Sequence, residues 1–351
     1  MVNKMIGIIG AGASGLMLSN KLNMNKIEYQ IFERDKAGRK ILASGNGRCN
    51  LSNANLDIKY YHNNPLSCEI IKHKDMLLDM FSKLKIYYKE DDEGRMYPIS
   101  ESSSSVLNIL LKNVSDKIIY HDVKNIIKKS NGYYLDEYGP FDDIIIATGS
   151  IASFKDNKKP SYDYLNDLNI KFNEFKPSLV GFKTNLKIKE ISGVRAKCNV
   201  ALYSNDELIH SEDGEVIFKD DGIGGICIMN LSSYYNKLDN KNAYVKINLA
   251  NKDYDDYESV LNPKLLNYVM NNKIDIHNFI IPIKSTYEME FAQVASGGID
   301  INEINPDFSL KKDKHIYAAG EVIDVDGICG GYNLSFAFIS GLIIGEKLCT
   351  K

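Results

Sequence analysis

Residues 5–15 read Met5-Ile6-Gly7-Ile8-Ile9-Gly10-Ala11-Gly12-Ala13-Ser14-Gly15, and residues 28–33 read Glu28-Tyr29-Gln30-Ile31-Phe32-Glu33. The first stretch is an apolar run that stops at a glycine turn. A helical spacing of Leu16, Leu18 and Leu22 follows it, and then a second short apolar strand that ends on an acid. In this order Gly10 permits the tight turn, Gly12 lets the backbone approach a pyrophosphate, and Gly15 lets helix and strand pack closely. Ala13 and Ser14 stand at the helix start, where unpaired N–H groups and the positive dipole end meet phosphate. Glu33, eighteen residues after Gly15, is placed to accept hydrogen bonds from an adenosine ribose. The competing reading is a glycine-rich turn in some other α/β protein.

Directly after Glu33 and Arg34 comes Gly38-Arg39-Lys40-Ile41-Leu42-Ala43-Ser44-Gly45-Asn46-Gly47-Arg48-Cys49-Asn50. Lysine outnumbers arginine 38 to 5, so each arginine marks a place where a planar fork serves better than a point charge. Arg34, Arg39 and Arg48 all fall in or beside this loop. Small residues among them allow close backbone contact, so Arg39, Lys40, Ser44, Gly45, Asn46, Arg48, Cys49 and Asn50 are candidate contacts along a dinucleotide. The alternative is a solvated basic loop. Arg95 is a candidate anchor for an anion or else a surface ion pair, and Arg195 is a candidate substrate contact.

Two later strands have the same style. Asp143-Ile144-Ile145-Ile146 runs into Ala147-Thr148-Gly149, and Ile316-Tyr317-Ala318-Ala319 runs into Gly320-Glu321. Gly320, Glu321 and Asp324 precede the glycine-rich Gly327-Ile328-Cys329-Gly330-Gly331, which opens a helix from about Asn333 to Cys349. In FAD enzymes such a late acid holds the ribityl chain, and the helix start at Gly331, Tyr332, Asn333 and Leu334 points at the flavin. Its dipole favours negative charge on the ring. A simple NAD dehydrogenase has no use for this element, so the pairing of residues 10–33 with 317–345 selects FAD. Ala147, Thr148 and Gly149 form a second expected contact, with Val123 at the start of a short strand. From about Ile170 to Leu249 polar and β-branched residues alternate, which predicts a largely antiparallel β region. Helices are expected over Pro65–Leu84, Ser102–Asn113 and Asp255–Phe279. His210 reads as a turn residue.

Composition narrows the field. The 351 residues set a prior of about two domains. A net charge of −3 offers no basic excess to displace counterions from a polynucleotide, so no nucleic-acid partner is expected. Six cysteines form no CxxC pair and no zinc spacing, and no metal is expected. Without a signal-peptide pattern the chain reads as cytoplasmic. Gly327–Gly345 runs 19 residues without a charge, but five glycines dilute it, and no membrane span is expected.

The segments GRKILASGNGRCN (38–50), GRMYPIS (94–100), KPSLV (176–180), Gly297-Gly298-Ile299 and AGEVIDVDGICGGYNL (319–334) resemble the BaiN/RdsA-type family of NAD(P)/FAD-dependent oxidoreductases, flavoproteins of the glutathione-reductase-like superfamily. The resemblance spans nearly the whole chain. It implies an α/β fold with a Rossmann-like FAD-binding domain formed from both chain ends (1–168 and 299–351). It also implies an inserted β-barrel-like substrate domain (169–254 and 286–298) and a small helical insert (255–285). The implied function is an FAD-dependent oxidoreductase, reduced by NAD(P)H and acting on a small organic substrate.

Departures fall in the middle. Ser150 stands where relatives carry a second glycine, and Ile151-Ala152-Ser153-Phe154-Lys155-Asp156 replaces a glycine-rich stretch. Phe218-Lys219-Asp220-Asp221-Gly222-Ile223-Gly224-Gly225-Ile226 is a degraded version of another family segment. No second strand–GxGxxG–helix unit exists, so a nicotinamide donor would visit the flavin transiently. Cys49 and Cys329 fall in loops expected near the flavin, as a redox pair or as packing residues. No pattern marks a catalytic acid or base. The rival readings are an amine oxidase, a flavin-binding protein without turnover, and a plain NAD dehydrogenase. The sequence leaves the oligomeric state open.

Overall fold

A computed structural model describes residues 4–154, 162–239 and 242–350. Lys155 and Asp156 lie outside the described residues. The chain divides into two compact units. Among the described residues one takes 4–151, 162–175 and 297–350, and the other 152–154, 176–239 and 242–296.

The first unit is built on an all-parallel five-stranded sheet in the order Ile316–Ala318, Asp143–Ile146, Met5–Ile9, Glu28–Glu33, Ile118–Tyr120. Its central strands are apolar on both faces because helices cover both. Ile6, Ile8, Ile31, Ile144, Ile145 and Ile146 are fully buried. The register pairs Ile8 with Ile31 on one side and Ile145 on the other. Strands from the two ends of the chain therefore lie in one sheet. The helices Ala13–Met24 and Tyr332–Thr350 pack against each other through small residues. A Cβ on Gly341 would stand 2.5 Å from the Ser14 carbonyl oxygen. Two antiparallel three-stranded sheets flank this frame. One joins Ser52–Asn53, Arg95–Pro98 and Tyr88–Glu90, the other Ile126–Lys129, Gly132–Leu135 and Tyr138–Phe141.

The second unit is a seven-stranded antiparallel sheet in the order Phe279–Pro282, Ala243–Asn248, Arg195–Ser204, Glu207–Phe218, Gly222–Gly224, Phe182–Lys183, Ser285–Thr286. Its two edge strands belong to one stretch of chain. Ile283 N donates to Ala243 O and the next residue, Lys284, donates to Lys183 O, so the sheet curls until its edges meet there. Residues 255–285 contribute one described α-helix, Pro263–Asn271, whose Leu265, Tyr268 and Val269 share the sheet's own core. Asn262 caps it, accepting from Lys264 N, and Pro263 needs no partner at the first helical position. The helix expected over Asp255–Phe279 is thus much shorter. A helix the sequence pattern hid, Ile226–Tyr235, lies against the sheet with Cys227, Ile228 and Leu231 buried.

Two further expectations are corrected. His210 is not in a turn: it pairs with Leu202 inside the Glu207–Phe218 strand and stacks on Tyr234 at 4.0 Å. The helix expected over Pro65–Leu84 is two, Ser67–Lys72 and Lys74–Leu84, broken at His73. The His73 ring nitrogen Nδ1 lies 2.8 Å from the Glu69 carbonyl, so the side chain competes for a backbone acceptor.

Candidate cofactor crevice

The site forms at the carboxyl ends of the parallel strands. Gly10 leaves Met5–Ile9 with φ +108, its N–H held by Phe32 O at 2.7 Å. A Cβ there would stand 2.4 Å from Ala147 O, and a Cβ on Gly15 would stand 2.1 Å from Gly10 O. Both glycines are therefore enforced by backbone contact. Gly12 differs. Its backbone is extended (φ −86, ψ −163), and an added Cβ would meet nothing closer than Ala147 O at 4.0 Å. It caps the Ala13–Met24 helix with no side-chain hydrogen bond, and no acid stands in the first turn. The helix start is thus left for an anionic guest.

Glu33 ends the second strand facing this turn. Its Oε2 accepts from Ala11 N at 2.8 Å and its Oε1 from Asp35 N at 3.0 Å. Each carboxylate oxygen retains capacity for a further donor. Gly38 N donates to Ala11 O at 2.8 Å, which folds the basic loop back onto the glycine turn. Arg39 and Lys40 then start a short helix, Arg39–Ala43. Burial lowers the proton affinity of the Arg39 guanidinium. Ser44 Oγ donates to Ile41 O, and Gly45 and Asn46 take left-handed conformations at φ +57 and +55. Arg48 lies over the Tyr97 ring at 4.6 Å. Arg34 and Arg39 are both half-buried beside Glu33.

The last strand reaches the same crevice. Ser14 Oγ donates to Ala319 O at 3.3 Å, and Gly320 N donates to Ser340 Oγ at 3.0 Å. Glu321 accepts from Lys40 Nζ at 2.6 Å and from Ser150 Oγ at 2.8 Å. Ala147 N bonds Ile9 O, Tyr164 OH reaches Thr148 Oγ1 at 3.4 Å, and Tyr162 OH donates to Gly149 O at 2.8 Å. Val123 is buried in the connection between Ile118–Tyr120 and Ile126–Lys129, outside both strands.

The second helix start is held by its neighbours. Gly331 has φ +96, and a Cβ there would stand 2.4 Å from Ser52 O. With its amide oriented to satisfy both neighbours, Asn50 donates to Ser52 O and accepts from Gly331 N at 3.1 Å. Asn333 is engaged with its own loop: Oδ1 accepts from Gly327 N and Nδ2 donates to Gly327 O, each at 2.8 Å. Tyr332 is buried and stacked on Tyr60 at 4.6 Å, its carbonyl taking the Tyr61 hydroxyl at 2.8 Å. Leu334 is partly buried against the core. Asp324 accepts from Gly297 N at 2.8 Å and from Asn173 Nδ2 at 2.9 Å, one bond to each carboxylate oxygen. Asn333 and Asp324 therefore shape the loop with their side chains. Sequence reasoning missed Ser52 and Tyr61, which carry no motif of their own, and named no role for Tyr97 within GRMYPIS.

Arg95 pairs with Asp91 at 2.8 Å and Glu93 at 2.9 Å, and Arg195 pairs with Glu215 at 2.9 Å. All six cysteines are free, and burial pushes the Cys49 thiol up to about 11. A thiol so held is protonated at neutral pH and makes a poor nucleophile. One cluster among the described residues lies within metal-ligand reach, His121, Asp136 and Glu137. Asp136 there already accepts from Lys124 N, Asn125 N and the Asn125 side chain. Among the described residues no helix is long and apolar enough to cross a membrane.

A parallel sheet with an enforced glycine turn and an open helix start at its carboxyl edge defines a Rossmann-type dinucleotide-binding protein. A family model described as HI0933-like protein Rossmann domain matches residues 4–347, and the chain belongs to this family, the BaiN/RdsA-type FAD-dependent oxidoreductases. It is 26% identical, across 99% of each chain, to a 3-dehydro-bile acid delta(4,6)-reductase of Clostridium scindens. That alignment spans 406 positions against 351 residues here, so at least 55 of them (406 less 351) face no residue of this chain. The chain is also 25% identical, across 97% of each, to a ribosomal RNA dihydrouridine synthase of Escherichia coli K12. Its fold resembles a flavocytochrome c3 fumarate reductase (12% identity, TM-score 0.52, 99% of this chain and 78% of that one). It also resembles the 3-ketosteroid-delta4-(5alpha)-dehydrogenase of Rhodococcus jostii RHA1 (11% identity, TM-score 0.50, 99% and 96%).

Proposed function

We propose that this FAD-dependent oxidoreductase takes a hydride from NAD(P)H and delivers it to a carbon–carbon double bond conjugated with a carbonyl in a small organic molecule. The observation that carries the cofactor half is the meeting, at one sheet edge, of the open Gly12 helix start and the Gly320–Glu321 strand end from opposite ends of the chain. The names of the two relatives support the acceptor half, since a bile-acid enone and a uracil ring share that alkene. The crevice fits a dinucleotide: Gly10 and Gly15 admit no side chain, and space remains in front of Gly12.

Glu33 would hold the adenosine ribose, the N–H groups at Ala13 to Gly15 the pyrophosphate, and the helix start at Tyr332 negative charge on the ring. FAD supplies the two-electron carrier. Arg34, Arg39, Lys40, Ser44 to Asn46, Arg48 to Asn50, Val123 and Ala147 to Gly149 would line its path.

The relative named for ribosomal RNA favours a second reading, a uracil within RNA. The net charge of −3 argues for the small molecule. The test is the visible spectrum of the purified protein before and after anaerobic NADH or NADPH, followed by an enone or a uridine-containing RNA. Flavin bands that bleach with one donor and return with the enone are expected. Bands untouched by either donor would sink the NAD(P)H assignment and favour an oxidase or a protein without turnover. Return with RNA alone would favour the second reading.

A further inference from the structure

We propose that Lys40, Ser150 and Glu321 form a positioning ring that fixes one ammonium in the crevice, so that it favours the reduced, more negative form of bound FAD. This inference rests on the FAD reading above. Lys40 Nζ donates to Glu321 Oε2 at 2.6 Å and to Ser150 Oγ at 2.9 Å, and Ser150 Oγ donates to Glu321 Oε1 at 2.8 Å. The directions are forced. An ammonium only donates and a carboxylate only accepts, so the hydroxyl must accept from one and donate to the other. Three hydrogen bonds then close on themselves, and each carboxylate oxygen takes one of them.

The ring joins three distant stretches of chain at one place. Ser150 follows the strand Asp143–Ile146, and Glu321 follows the neighbouring parallel strand Ile316–Ala318. Gly149 and Gly320 turn those two strand ends at φ +68 and +73. A Cβ on Gly149 would stand 3.9 Å from Glu321 Oε2, in ordinary contact with the carboxylate. Lys40 reaches the pair from the short helix after the glycine turn. The ring thus sits outside the carboxyl ends of adjacent parallel strands, where open α/β sheets receive their ligands.

Stability alone does not account for this arrangement. The Lys40 and Glu321 side chains are 31% and 17% exposed, and in a pair so far out of water the cost of desolvation offsets the mutual attraction. What the ring does accomplish is to hold a long, flexible lysine in one place. Two of the three ammonium hydrogens are used, and among the described residues the third has no partner. A cation oriented before the reaction stabilises charge where it develops without a reorganisation cost. Ser150 acts through Lys40 and Glu321, as a positioning residue.

The test compares wild type, Lys40→Met, Ser150→Ala and Ser150→Thr, each loaded with FAD. FAD affinity is read by fluorescence titration of apo-protein, and the midpoint potential by equilibration with a reference dye. Lys40→Met is expected to lose about tenfold in its preference for reduced over oxidised FAD, typical of a bond to a charged group. For a two-electron couple that lowers the midpoint by about 30 mV. Ser150→Ala should move it in the same direction by less, and Ser150→Thr should restore it. A Lys40→Met protein that binds FAD at the wild-type midpoint overturns the proposal, even if its affinity for both forms has dropped. A Ser150→Ala midpoint equal to wild type removes the serine from the device. A wild-type protein that takes up no FAD overturns the cofactor reading and this inference with it.

Discussion

Gly12→Ala and Gly10→Ala are chemically the same change two residues apart, and the structure assigns them opposite consequences. At Gly10 the φ of +108 disfavours any side chain, which costs about 1–3 kcal/mol. The new methyl would also stand 2.4 Å from Ala147 O and 2.8 Å from its carbonyl carbon, both backbone atoms of the central sheet. Overpacking of that kind costs about 1–3 kcal/mol. Together they come to about 4 kcal/mol, which lowers Tm by roughly 8–16 °C in a unit of this size. At Gly12 the φ of −86 suits any residue, and the methyl meets nothing within 4 Å but Ala147 O at that limit. Alanine is a poorer cap than glycine, by about 0.5–1 kcal/mol, and the stiffer unfolded chain returns about as much.

Gly12→Ala should therefore melt within about 2 °C of wild type as apo-protein. Its methyl would nevertheless occupy the approach to the helix start, and its FAD Kd should rise about tenfold or more, the scale of one charge-assisted hydrogen bond. Calorimetry of both apo-variants and a fluorescence titration with FAD check this. A Gly12→Ala protein that binds FAD like wild type would refute the assignment of that space to the cofactor. Equal melting shifts for the two variants would refute the steric argument.

Three further outcomes are expected. Asn333→Ala removes the bonds that hold Gly327 and should cost about 1–3 kcal/mol, read as a lower denaturant midpoint, and a wild-type midpoint would count against that clamp. Cys49 should resist iodoacetamide at pH 8 in the folded protein, because burial raises its thiol to about 11 from an ordinary 9. A raised acid pKa stabilises the fold below the unfolded value and ceases to do so as pH climbs through the folded one. Stability should thus fall between pH 9 and 11 by about 2 kcal/mol, and a Cys49→Ala variant with the same slope would remove the cause. The anaerobic spectrum should bleach with NADH or NADPH, and a protein that stays oxidised with both would end that part of the reading.

Much of the frame was legible from residues close together in the chain. Met5–Ile9, the glycine turn, the following helix and Glu33 form one local unit, and each part constrains the next through backbone geometry. The last helix runs Tyr332–Thr350 against an expectation of Asn333–Cys349, because an uncharged run after two glycines leaves few alternatives. The misses have local causes too. The helical run over 65–84 divides at His73, whose ring nitrogen shares Glu69 O with its own backbone N–H. Ile226–Tyr235 shows no polar face, so its period was hidden among strands.

The sequence by itself determined the kind of site, through glycines whose spacing serves a dinucleotide, an acid at the right remove, and a second glycine-led helix start near the other end. Those signals are local because a tight turn or a helix start is made by neighbours in the chain. Only the tertiary structure decided what each polar side chain does. Asn333 and Asp324 read as cofactor contacts in the sequence, and the folded chain also gives their side chains partners of its own, Gly327 for the first and Gly297 and Asn173 for the second. Ser150 read as a departure, yet it links Lys40 to a carboxylate 281 positions away in the chain. A hydrogen bond needs its partners about 3 Å apart in space, and sequence spacing carries no such distance once the chain has crossed from one strand of the sheet to another.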